Sequence, residues 1–224
     1  MDQLLHNRMA HMVNPSLATY AKPCEVRLRA TAKADSVQAA EDMLTPVVAQ
    51  VRQALGDYVY GVDIQDLAQA CMEGLLRKGL TLATAESCTG GLVARRITAL
   101  PGASQVYRGG VVSYWTEVKA AVLGVPQEIL DTYGAVSEAT ARAMAQGARR
   151  LTSAEIAVSV TGVAGPDPDE RNNPVGLVFI GLDTPDGTFC RRTESGRRRR
   201  DRIQDLAANH ALDMVRRYLT GLRP

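Results

Sequence analysis

Apolar and polar positions along this chain recur with two different periods, and the switches between them mark its elements. Val26, Leu28, Ala30 and Ala32 alternate with polar residues and predict a half-buried strand. Ser36 stands just before Val37, Ala40, Leu44, Val47, Val48, Val51 and Leu55, which share one helical face, so it is placed to cap a helix. Pro46 inside that run predicts a kink, or a restart with Thr45 as the new cap. Gly56 ends the helix, and Tyr58-Val59-Tyr60 reads as a second strand. Residues 14–62 thus read as a β-α-β block of roughly fifty residues, marginal by itself at that size.

A boundary near Gly61-Val62-Asp63 separates residues 1–63 from residues 64–224. Past it, Leu67, Ala68, Cys71 and Leu75 line a helix that Gly79 closes. Thr81 to Ala85 is a strand, and Gly90-Gly91 open a helix that ends before Pro101. Gly110 to Tyr114 is a strand leading into a helix capped by Thr116 and stopped at Gly124. Ser137 caps a helix reaching about Leu151, and Ile156 to Thr161 is a strand that runs into Gly162-Val163-Ala164-Gly165-Pro166. After a polar loop, Val175 to Leu182 and Thr188 to Glu194 pair as a hairpin across Pro185-Asp186-Gly187, and a last helix runs from Arg200 to Leu222. The expected fold is α/β: a three-layer α/β/α module with a mixed sheet, preceded by a small α+β block.

Composition changes this picture mainly by exclusion. Apolar residues make up 46% of the 224 and charged residues 22%, as in ordinary globular chains, and a net charge of +2 gives no bulk attraction to nucleic acid. Apolar runs are broken well short of the about 18 residues a membrane span needs. Met1-Asp2-Gln3-Leu4-Leu5-His6-Asn7-Arg8 lacks the basic-then-apolar order of a secretory signal, so a cytoplasmic location is expected. Cys24, Cys71, Cys88 and Cys190 are scattered without a C-x-x-C pair, which argues against a zinc site and a disulfide framework. Only three histidines occur, His6, His11 and His210, leaving little room for a Ser-His-Asp triad or a histidine metal centre.

Ser87, in Ala85-Glu86-Ser87-Cys88-Thr89-Gly90-Gly91, lies where a strand turns into a helix. Ligands of open α/β sheets bind off the carboxyl ends of strands, and the amides of a starting helix can hold an oxyanion or phosphate. The alternative is that Ser87 or Thr89 only caps the helix, and position alone favours it, because capping serines are common. A second strand-to-helix junction, Val112-Ser113-Tyr114-Trp115-Thr116-Glu117-Val118-Lys119, brings Tyr114 and Lys119 to the same end of the sheet. A serine needs a base to become a nucleophile, and with histidine scarce a desolvated lysine is the candidate; a tyrosine can relay the proton. A solvated lysine and a core tyrosine remain the plain alternatives, and spacing does not displace them.

These motifs, together with Gly134-Ala135-Val136-Ser137-Glu138 and Pro174-Val175-Gly176, occur in an order that resembles the nicotinamide-nucleotide amidase module, the C-terminal domain of the CinA (competence-damage-inducible) family. The resemblance covers about residues 64–222. It implies deamidation of nicotinamide mononucleotide to nicotinic acid mononucleotide and ammonia, with Ser87 as nucleophile, Lys119 as its base and Tyr114 as proton relay. Asn14-Pro15-Ser16-Leu17-Ala18-Thr19-Tyr20-Ala21-Lys22-Pro23 and Leu55-Gly56-Asp57-Tyr58-Val59-Tyr60-Gly61 resemble the family's KH-like connector, with Cys24 where a glycine is expected. The family's large N-terminal molybdopterin-binding-like domain has no counterpart here, so the pyrophosphatase activity associated with it is not assigned.

On this reading Thr89, Gly90, Gly91, Gly162, Val163, Ala164 and Gly165 surround the substrate. Arg191, Arg192, Arg197 to Arg200 and Arg202 are candidates for a clamp on its phosphate, and the resemblance picks out Arg198 and Arg202, where the family has a glycine-acid-arginine motif and an arginine four residues on; Arg197 stands where the acid is expected. A solvated basic helix start is the alternative for any one arginine, although positive charge there opposes the helix dipole and suits an anionic partner. Cys88 is a rival nucleophile beside Ser87. Asp167-Pro168-Asp169-Glu170 reads as an exposed loop, and neither a metal nor a cofactor is expected. A homodimer is expected, as is nicotinamide mononucleotide for a partner. Two rival readings stand beside catalysis: a nucleic-acid-binding module, weakened by the lack of a G-x-x-G loop in residues 14–62, and a non-catalytic partner in competence or DNA damage.

Overall fold

The structure is a computed structural model that describes residues 12–22 and 24–224. The readings of residues 1–8 and of His6 and His11 lie outside the described residues. The chain divides into two compact units, Met1–Asp63 and Ile64–Pro224.

In the first unit, β1 (Ser16–Lys22) and β2 (Glu25–Thr31) form an antiparallel hairpin, followed by α1 (Val37–Leu55). The Ser36 hydroxyl accepts from the Ala39 amide at 3.1 Å, which fixes the helix start. The order is β-β-α and not the expected β-α-β. Tyr58-Val59-Tyr60 forms no strand: Gly56–Tyr58 is a single 3-10 turn, and Tyr58 projects into solvent with no neighbouring strand to pair with. The expected break at Pro46 is also absent, and α1 runs through it. Pro46 lies on the exposed side, where water can serve the carbonyl that loses its partner. Thr45, instead of capping a new helix, donates its hydroxyl back to the Glu41 carbonyl at 2.8 Å.

The second unit runs α2 (Leu67–Lys78), β3 (Leu82–Glu86), α3 (Leu92–Thr98), β4 (Tyr107–Val112), α4 (Thr116–Leu123), α5 (Gln127–Tyr133), α6 (Glu138–Thr152), β5 (Ile156–Gly162), β6 (Leu177–Thr184), β7 (Gly187–Glu194) and α7 (Arg200–Leu219). Its sheet has the order β4-β3-β5-β6-β7; β3 is parallel to both β4 and β5, and the β6–β7 hairpin adds antiparallel strands. The sheet is therefore mixed, with helices on both faces. Strand alternation assigns the faces. Ala83, Ala85 and Ala157 join Met144 and Ala148 of α6 in one core layer, which Leu123, Val125 and Leu130 complete. On the other face α7 packs on α2 and α3, with Leu75, Val93, Ile97, Ile203, Leu212 and Met214 buried.

The α6 face is built of small residues because the helix sits close to the sheet and to the end of α4. A Cβ at Gly181 of β6 would stand 2.4 Å from the Ala141 carbonyl oxygen, and one at Gly147 would stand 2.0 Å from that of Leu123. Asp66 and Ser137 cap α2 and α6 through the amides of Gln69 and Thr140, and Gly79 closes α2 in the left-handed region. The short helix α5 between Pro126 and Gly134 has no counterpart in the sequence reading. No helix among the described residues is long and apolar enough to cross a membrane.

Candidate active site

Because β3 lies between β4 and β5 and parallel to both, three strand ends arrive together at one edge of the sheet. Glu86 is in register with Val112 and Val160. The ladders continue one residue further: the Ser113 amide donates to the Glu86 carbonyl at 2.8 Å and the Ser87 amide to that of Val160 at 2.9 Å. Ser87, Ser113 and the loop after β5 thus share the crevice where open α/β sheets bind ligands.

The turn carrying Ser87 is held from within. Gly90 and Gly91 take positive φ, 62° and 96°, which glycine adopts without steric cost. The Glu86 carboxylate, 1% exposed, accepts from the amides of Gly91 and Val93 at 3.0 Å each and of Ala94 at 2.8 Å. It serves as the anion at the start of α3. The Gly90 amide donates to the Ser87 carbonyl and the Leu92 amide to that of Thr89. The amides of Gly90 and Gly91, expected to be free for a ligand, are consequently occupied: that of Gly91 by the buried carboxylate, which needs donors, and that of Gly90 by the Ser87 carbonyl.

Lys119 comes from α4 and is 1% exposed, among the largest fully buried side chains of the described residues. Its Nζ lies 3.1 Å from Ser87 Oγ, 2.6 Å from the Ser113 carbonyl oxygen and 3.4 Å from that of Tyr114. Burial lowers its pKa from the ordinary 10.5 to about 8, while Cys88 and Glu117 pull weakly the other way. As an ammonium, Nζ donates to all three oxygens. As an amine, it keeps two N–H groups for the carbonyls and turns its lone pair toward the Ser87 hydroxyl. That is the geometry of a serine with a lysine base.

Tyr114 is placed differently. Its side chain is 54% exposed, and its hydroxyl accepts from Arg200 Nη2. Arg200 Nη1 donates to the Gly165 carbonyl at 2.6 Å, so one guanidinium links the start of α7, the loop after β5 and the β4–α4 junction. Arg198 Nε donates to the Ser195 carbonyl, and the Arg202 amide donates to Asp201. Arg197 Nη2 donates to the Pro166 carbonyl at 3.5 Å, so Arg200 and Arg197 are bonded to the loop after β5, and Arg200 alone of the two also reaches Tyr114. In the loop after β5, Val163 exchanges bonds with Leu177 and Gly176, and a Cβ on Gly162 would stand 2.6 Å from the Leu177 carbonyl oxygen. Val163 and Ala164 are buried, and Gly165 takes φ 82°.

Burial pushes the Cys88 thiol up to about 12, which keeps it protonated and removes the basis for a rival thiolate. In the acidic loop, Asp169 accepts from the amides of Arg171 and Asn173 and from the Asn173 side chain, a local turn. Among the described residues, no group of three or more His, Cys, Asp or Glu is placed to hold a metal ion. Two buried side-chain oxygens lack a hydrogen-bond partner among the described residues, Thr89 Oγ1 and Ser113 Oγ. Both belong to the loops that carry Ser87 and lead to Lys119.

Sequence reasoning missed Glu86 and Ser113, and it weighed Arg200 only as one of a run of arginines. A glutamate five residues ahead of a glycine it caps was a readable signal for Glu86. Nothing in an arginine run singles out Arg200, and nothing marks Ser113, whose contribution is a backbone carbonyl.

Comparison with known proteins places these features. Residues 64–219 match the family model described as the CinA C-terminal domain, and residues 1–61 match that of the damage-inducible protein CinA KH domain. A CinA-like protein of Desulfovibrio desulfuricans is 46% identical over 211 residues, 93% of this chain and 50% of its own length. A putative competence-damage inducible protein of Caldanaerobacter subterraneus is 45% identical over 209 residues, again 93% of this chain and 50% of its own. The chain spans about half the length of these curated relatives. Among solved structures, the competence/damage inducible protein CihA of Agrobacterium tumefaciens is 38% identical with a TM-score of 0.66, covering 72% of this chain and 98% of that one. A CinA superfamily protein of Klebsiella pneumoniae is 31% identical with a TM-score of 0.67, covering 70% and 99%.

Proposed function

Since the chain belongs to the CinA family, we propose that its second unit is an amidohydrolase that deamidates nicotinamide mononucleotide through a Ser87 acyl-enzyme. The observation that carries this reading is the buried contact of 3.1 Å between Lys119 Nζ and Ser87 Oγ, with the lysine's pKa brought down to about 8. A general base acts best when its pKa lies near the operating pH.

In the first half-reaction neutral Lys119 takes the Ser87 proton as Oγ bonds to the carboxamide carbon. The tetrahedral intermediate collapses, its C–N bond breaks, and the nitrogen takes a proton and leaves as ammonia. Lys119, now an ammonium in contact with Ser87, can return that proton directly. The relay that the family resemblance gives to Tyr114 requires its hydroxyl to leave Arg200 for the leaving nitrogen. Water then adds to the nicotinoyl ester with Lys119 again as base, releasing nicotinic acid mononucleotide and restoring Ser87.

The substrate phosphate is the natural counter-ion for the basic start of α7, where guanidinium groups bind phosphate in bidentate fashion. Arg200 already faces the site loops, with Arg198 and Arg202 beside it in sequence. Ammonia release from nicotinamide mononucleotide, run beside nicotinamide riboside, tests both parts. Faster turnover of the mononucleotide is expected. Equal rates would remove the phosphate clamp, and no release from either would sink the amidase reading.

A further inference from the structure

Acyl transfer at Ser87 creates an oxyanion, and the donors that hold it contribute much of the rate. The amides of Gly90, Gly91, Leu92, Val93 and Ala94 are all spent on internal acceptors, so the start of α3 offers no donor. The two residues directly after the nucleophile differ. The Cys88 and Thr89 amides lie in the turn before the helix, and neither donates to another residue among those described. Thr89 is 4% exposed, and its Oγ1 is one of only two buried side-chain oxygens without a partner among the described residues. An unsatisfied buried hydroxyl costs stability, and native folds keep few of them. One that stands two residues from a serine with its base in place is explained if a ligand atom completes it.

We infer that the Thr89 hydroxyl, with the Cys88 and Thr89 amides, forms the oxyanion pocket for the reacting carboxamide. This rests on the acyl-transfer reading of Ser87. Thr89 is then a catalytic residue, because its O–H touches the oxygen on which charge develops. Ground-state carbonyl and oxyanion occupy different positions, so the hydroxyl acts on turnover and leaves substrate affinity nearly untouched.

The test uses a fluorophosphonate, which needs no knowledge of the natural substrate. Ser87 Oγ bonds to phosphorus, the P–F bond breaks and fluoride leaves, and the serine proton passes to Lys119; the phosphoryl oxygen takes the place of the oxyanion. The rate of Ser87 labelling is followed by intact mass in the full chain, with Tm measured for each protein. Thr89→Val is expected to slow labelling about 10²–10³-fold while Tm holds or rises, since the variant loses an orphan hydroxyl and keeps its shape. Thr89→Ser is expected to restore labelling to within a few-fold of wild type.

Labelling of Thr89→Val at the wild-type rate would overturn the inference. So would a loss of labelling matched by an equal fall of Tm in both Thr89→Val and Thr89→Ala, which would make Thr89 a packing residue. A wild-type protein that does not label at Ser87 denies the acyl-transfer reading itself, a distinct result seen before any variant is made.

Discussion

Lys119 as an ammonium has three N–H groups and three oxygens within reach, two of them carbonyls that can only accept. Rate should therefore follow its deprotonation: ammonia release is expected to rise with pH through an apparent pKa of about 8 and then level. Lys119→Arg, which stays charged at every accessible pH, should be inactive throughout; a profile flat from pH 6 to 9 in wild type would remove Lys119 as base. The same depression acts on stability. Between about 8 and 10.5 the unfolded chain binds the proton that the folded chain has released, so the unfolding free energy contributed by this group rises with pH across that window. Denaturant titrations at pH 7.5 and 10 should show wild type gaining on Lys119→Met by up to about 3 kcal/mol. At this scale Ser87, Tyr114 and Lys119 were legible as candidates because the chain carries them in compact motifs. Their contacts were not. That Lys119 turns inward and Tyr114 outward to Arg200 depends on which way α4 rolls onto the sheet, and no spacing encodes that. The amides of Gly90 and Gly91 were misread as free because their acceptors, the Ser87 carbonyl and a Glu86 that looked like an ordinary strand-end residue, are chosen by the turn and not by the motif.

The element that depends most on one side chain is α3. It has seven residues, too few to persist without tertiary support, and Glu86 supplies an acceptor to two of its first amides and to that of the capping Gly91. Glu86→Ala leaves those donors buried and unpaired, and is expected to cost about 3 kcal/mol or more in chemical denaturation. Because Ser87 is the next residue, labelling of the serine should fall with it; unchanged stability would mean that α3 is held by packing alone. On the opposite face, Gly181→Ala places a methyl against the Ala141 carbonyl and Ser159 Oγ, at 2.4 and 2.6 Å. Overpacking of this kind costs about 1–3 kcal/mol, and an unaltered Tm would show that α6 can move away freely. Helices with a periodic face and either a cap or a closing glycine were readable, as α6 with Ser137 and α2 with Gly79 show. The failures share a cause: Tyr58-Val59-Tyr60 consists of strand-forming residues but has no partner strand, β1 was hidden in a stretch without clear alternation, and Pro46 was tolerated because its side of α1 faces water. Pairing and exposure are properties of the folded unit, not of the segment.

At the scale of the whole molecule, the chain consists of two units, and every residue in the proposed chemistry belongs to Ile64–Pro224. The sheet, both helical layers and all three site loops are internal to that unit. A fragment of residues 64–224 is expected to fold and to release ammonia at the rate of the full chain. Loss of activity in a folded fragment would assign the first unit a part in turnover. The mixed α/β fold was legible from alternating strands and helices followed by a late hairpin. The strand order that brings β3, β4 and β5 together at the site was not, since sequence order does not state which strands are neighbours. The most direct test of the central claim is ammonia release from nicotinamide mononucleotide by wild type and Ser87→Ala under identical conditions. Release by wild type, matched mole for mole by nicotinic acid mononucleotide and absent in Ser87→Ala, is the predicted result. Release that persists at the wild-type rate in Ser87→Ala would contradict it.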